Sequence, residues 1–183
     1  MRFEYNLNPR KLSLFLGIVS IYLAVQSLFG EYVLENVLRG GTDGFLVSLI
    51  DLFSVNAEET IPTWYSTILL FLSAVLLTFI ATVKQKNQKL FRHHWTGLAL
   101  IFLYLSMDEG AVIHEIIADP LQAKFNTTGY LAFGWQIVFV PLVVVFALFY
   151  LRFLFHLPPR IRNLFIIAGS LYVGGAVFVE ATG

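Results

Sequence analysis

The reading turns on residues 95–118, WTGLALIFLYLSMDEGAVIHEIIA, an apolar run interrupted at Ser106-Met107-Asp108-Glu109-Gly110 and again at His114-Glu115. Twenty residues of helix at about 1.5 Å per residue cover the roughly 30 Å hydrocarbon core of a bilayer, so this run is long enough to cross. Its ionisable groups are then the anomaly to explain. A carboxylate near the centre of a spanning helix costs about 2.5–3.5 kcal/mol on the insertion scale, so Asp108 and its neighbours must face protein, water or an ion.

Four comparable runs surround it. Residues 12–29, 64–83, 130–155 and 161–183 are apolar and nearly free of charge, in a chain of 183 residues that is 57% hydrophobic and 13% charged, with a mean hydropathy of +0.74. A soluble domain carries about twice that share of charge. The expected fold is therefore all-α: a polytopic transmembrane bundle of five spans, forming one membrane domain over residues 1–183. Residues 45–55 are apolar but too short to span, and Asp51 interrupts them, which points to an interfacial or re-entrant helix. Pro62 suits the first turn of the second span, Leu157-Pro158-Pro159 separates the last two, and Pro141 predicts a kink in the fourth.

Charge placement orients the bundle. Ten of the twelve basic residues lie at the N-terminus (Arg2, Arg10, Lys11), in the 84–94 loop (Lys84, Lys86, Lys89, Arg92) or at the fourth turnaround (Arg152, Arg160, Arg162). By the positive-inside rule these share the cytoplasmic side, which puts the N-terminus inside and loops 30–63 and 119–129 opposite. The first run is longer than a signal-peptide core and lacks a clear small-residue cleavage site after it, so it is read as a retained span. A sixth helix beyond Gly183 would return the chain to the inner side.

On an uninterrupted helix at 100° per residue, Asp108 and Glu115 fall within about 20° of each other, with Tyr104, Ala111, Val112 and Asp119 on the same stripe and Glu109 and His114 flanking it. His114 stands 19 residues after Trp95 and Glu180 19 after Ile161, so the two should lie at similar depth; Glu59, just before the second span, lies toward the same side. The expected site therefore comprises Asp108, Glu109, His114 and Glu115, with Glu180 nearby, open to the outer side. Asp108, His114, Glu115 and Glu180 form an oxygen-rich set with one imidazole that suits a divalent metal ion. The same groups, held close, can instead exchange protons. Catalytic or transport roles fall on Asp108, Glu109, His114 and Glu115 under either use.

Several classes are excluded or disfavoured. There is no Cys, which removes thiolate metal sites, iron–sulfur clusters and disulfides, and zero net charge argues against a nucleic-acid binder. No Lys lies in a helix core for a retinal-type Schiff base. His93, His94 and His156 sit among basic residues at helix ends and read as solvated rather than haem-binding. The expected function is a membrane enzyme or small transporter built on this site. The alternative is a non-catalytic subunit of a larger membrane complex, whose acids serve helix packing. Besides the lipid bilayer, the expected partner is a second copy or a larger complex docked through the small-residue face at Ser170 and Gly174.

Overall fold

The computed structural model describes residues 8–38, 44–87, 91–114, 116 and 136–175. Among them it contains six helices and no strand: α1 (Pro9–Asn36), α2 (Phe45–Asp51), α3 (Ile61–Asn87), α4 (Arg92–Ala111), α5 (Gln136–His156) and α6 (Pro159–Gly174). The all-helical expectation holds. Two helices, α1 and Ile61–Val83 within α3, are long and apolar enough to cross a membrane, and only 11% and 17% of their most apolar windows are buried. The core helix of a soluble protein would be mostly buried, so these two point to membrane association. Of the other three expected spans, α5 covers Gln136–His156, α4 ends at Ala111 and α6 is described to Gly174, and among the described residues none of them meets the length and hydropathy of a span.

The chain divides into two compact units, Met1–Tyr65 and Ser66–Gly183, with the boundary inside α3. In the first, Asn8 caps α1: its side-chain oxygen accepts from the Arg10 and Lys11 amides at 3.0 and 3.4 Å, and Pro9 occupies the first turn. Leu23, Ser27 and Gly30, spaced by four and three, form the buried stripe of α1. Against it fold α2 and the turn that follows. The Val55 amide donates to Ser27 Oγ at 3.0 Å, and a Cβ on Gly30 would stand 2.7 Å from the Ile50 side chain. The short helix expected within 45–55 is therefore present as α2, with Phe45 and Leu46 exposed. Thr60, just before α3, is buried and accepts from the Thr63 amide, an N-cap in the position Pro62 implies.

The second unit packs α3, α4, α5 and α6 around Leu77, Ala81, Trp95, Leu98, Ala99 and Phe153. Phe153 is 2% exposed, and its ring lies edge-on to Trp95 at 5.0 Å and to Phe91 at 5.7 Å. Trp95 reaches α6 through Phe165. Tyr150 donates its hydroxyl to the His94 carbonyl at 3.0 Å, an approach that Gly97 permits, because a Cβ there would lie 2.5 Å from the hydroxyl oxygen. The expectation of solvated histidines holds for His93 and His156, which are exposed, and is corrected for His94. Its half-buried ring stacks on Phe149 and Phe153 at 5.3 and 5.4 Å, because these residues, four apart on α5, present two ring faces to one side of the helix.

Candidate functional site

The last turn of α4 carries the polar residues, and its neighbour is the start of α3 within the second unit. Ser106 is buried and donates its hydroxyl to the Thr67 carbonyl at 2.9 Å. Ser66 donates to Glu109 Oε1 in a short hydrogen bond. Gly110 faces the Thr67 side chain so closely that a Cβ would meet it at 3.2 Å. Three successive contacts thus hold the two backbones together, a use of small and hydroxyl residues typical of helices meeting in lipid.

Immediately afterwards the helix stops. Val112 adopts the left-handed conformation, φ 54° and ψ 40°, and its amide donates to the Asp108 carbonyl. A β-branched side chain in that region is strained, by about 1–3 kcal/mol. No Pro or Gly at position 112 demands the break, so it must be offset by the contacts it enables. The foremost is the approach of His114 Nδ1 to Asp108 Oδ2 at 3.4 Å. In a continuous helix residues six apart are separated by about 9 Å along the axis and point to different sides, so this pair could not meet.

This corrects the expected stripe. The stripe presupposed an unbroken helix, and α4 ends at Ala111 and reverses its backbone hand at Val112. The structure joins Asp108 to His114 and sets Glu109 on Ser66. Glu115 and Glu180 lie outside the described residues, and Glu59 belongs to the first unit, where it too adopts a left-handed backbone, φ 59°. Among the described residues no three His, Asp or Glu side chains converge as a metal site would require. The residues that sequence reasoning passed over are Ser66 and Thr67, whose hydroxyl and carbonyl engage the polar turn. The Ser66-Thr67 pair at the head of an apolar run was the available signal.

Asp108 itself is 9% exposed, and its Oδ1 is buried with no hydrogen-bond partner among the described residues. A buried carboxylate oxygen left bare costs several kcal/mol. An imidazole on one oxygen and nothing on the other is an arrangement able to hold, pass or exchange a positive charge.

No curated protein and no solved structure matches the chain. The model of the family described as "Domain of unknown function (DUF8692)" matches residues 12–183, and the chain belongs to that family.

Proposed function

We propose that this is a five-span integral membrane protein that relays protons, as a small transporter, through the Asp108–His114 pair. The observation that carries the reading is the contact between these two side chains across the break at Val112. Irregular backbone at membrane depth is tolerated where it is buried in protein or lines a polar cavity, and paired ionisable groups at such a place are the usual parts of proton pathways. The Asp108 carboxylate orients the imidazole through Nδ1, and a proton that passes from the imidazolium to the carboxylate turns two opposite charges into two neutral groups. Glu109, held by Ser66, is the next group along the path. The positive-inside distribution puts the N-terminus in the cytoplasm and the open end of the site on the opposite side. The apolar residues left exposed on α5 and α6, among them Leu148, Phe149, Leu164 and Leu171, support these helices as further spans.

The test combines flux with spectroscopy. Protein reconstituted in liposomes with an internal pH-sensitive dye should conduct protons under an imposed gradient, and Asp108→Asn should reduce the flux at least tenfold. Magnetic resonance of protein with nitrogen-labelled histidine, in nanodiscs, should show a His114 ring signal, identified by its loss in H114Q, that moves in D108N while those of His93 and His156 stay. Full flux in D108N with an unmoved His114 signal would overturn the reading. Recovery of the protein only within a large complex, indifferent to D108N, would favour the accessory-subunit alternative.

A further inference from the structure

Among the described residues of its own unit, the bare oxygen of Asp108 meets no Lys or Arg. Along α4 the nearest basic residue before it is Arg92, 16 positions earlier, or about 24 Å of helix. The remaining described arginines of the second unit, Arg152, Arg160 and Arg162, stand at the end of α5 and the start of α6. The Phe91 ring contacts Phe153 and His156 there, which places those arginines at the Arg92 end of α4, away from Asp108. Among the described residues of this unit, the arginines thus gather at one end of α4 and the buried carboxylate lies toward the other.

Each polar group around Asp108 is committed elsewhere. Ser106 bonds Thr67, Ser66 bonds Glu109, and His114 meets Oδ2. Tyr104, one turn earlier on α4, lies 40% exposed. What remains at Oδ1 is a negative atom at the carboxyl end of a helix, the negative pole of its dipole. A buried carboxylate oxygen at the C-terminus of a helix is the kind of group that coordinates small cations in interrupted membrane helices.

We propose that Asp108 Oδ1, in the last turn of α4, seats a small monovalent cation, an alkali ion or a primary ammonium, beside the proton-relaying pair. The inference rests on the transporter reading above. Charge counting sets the valence. One carboxylate with a free oxygen balances a single positive charge, whereas a divalent ion calls for several carboxylates, and no such group of three converges among the described residues.

The experiment measures the thermal midpoint of the full chain in mild detergent, in chloride salts of sodium, potassium, methylammonium and the bulky N-methylglucamine, at one ionic strength so that screening is constant. A cation that binds only the folded state raises the midpoint, by roughly 5 °C near saturation. The expected result is such a rise in at least one small cation over N-methylglucamine, abolished in D108N and retained in H93Q, whose exposed ring lies at the far end of α4. Which salt acts separates an alkali ion from an ammonium. If D108N does not fold, sodium resonance broadening by the wild-type protein, reversed by the salt that raises the midpoint, serves in its place. Equal midpoints in all four salts without sodium broadening would overturn the inference, as would an undiminished rise in D108N. Equal midpoints alongside intact coupling of His114 to Asp108 would remove the cation and leave proton relay standing; loss of that coupling would remove both.

Discussion

The two ends of α4 are built on opposite principles. Around Phe91–Ala99 the helix is held by rings: Trp95 and His94 lie against Phe153, and Tyr150 reaches over Gly97 to the His94 carbonyl. Around Ser106–His114 it is held by hydroxyls and a carboxylate, then breaks at a strained valine. The first arrangement gains from dispersion and tolerates no gap. The second spends stability on backbone strain and a bare buried oxygen. Regions that conserve strain and unsatisfied charge inside an otherwise well-packed unit are where function resides.

The contrast breaks most readily at the ring end. Phe153→Ala empties the centre of the aromatic cluster, and truncation of a buried aromatic costs about 3–5 kcal/mol. The expected outcome is a large fall in thermal midpoint in detergent, monitored by tryptophan emission from Trp95, whose ring lies 5.0 Å from that of Phe153. A fall no larger than that for Phe149→Ala, whose side chain is 67% exposed, would mean that the cluster does not anchor α4.

Gly97→Ala should cost less, about 1–3 kcal/mol, because the added Cβ drives the Tyr150 hydroxyl from the His94 carbonyl. Removing the hydroxyl as well, in G97A/Y150F, should recover much of the loss, and a double-mutant cycle reads the coupling directly. Additive losses would show that the two residues do not meet.

How far these features were legible follows from the same contrast. The helices could be read because apolar length and the positions of Pro act locally: Pro62 stands in the first turn of α3 and Pro158-Pro159 starts α6. Asp108, Glu109 and His114 could be singled out because charge in an apolar run is anomalous wherever it points. Their geometry could not be read. It depends on Val112 leaving the helix, a conformation that its own side chain opposes, and on contacts to Ser66 and Thr67, some forty residues earlier in the chain. His94 was misread for a related reason: adjacent Lys and Arg suggest solvent, while the faces of Phe149 and Phe153, more than fifty residues away, decide the matter.

At the polar end, Ser66→Ala leaves Glu109 Oε1 without the hydroxyl donor and should destabilise by about 1–3 kcal/mol, as removal of a partner from a charged group does. Ser66→Thr, which keeps the hydroxyl, should restore most of the midpoint. If Ser66→Ala were neutral, water would be replacing the hydroxyl, and the turn would be open to solvent.

Val112→Gly is the smallest expected effect and the most diagnostic, because its sign is opposite to the others. Glycine in the middle of a continuous helix costs about 1 kcal/mol relative to alanine, so a span running unbroken through position 112 would be weakened by the change. At a left-handed position the same substitution relieves the valine of its strain, offset in part by the greater freedom of glycine in the unfolded chain, and should leave stability unchanged or raised by up to about 1 kcal/mol. Val112→Ala offers an internal control: alanine is also disfavoured there, lacks the second branch, and should fall between the two. A midpoint order of Gly above Ala above Val means that the break is the ground state of α4, with Asp108 and His114 held in contact. An order of Ala above Val above Gly means a continuous helix in which those side chains are too far apart to share a proton.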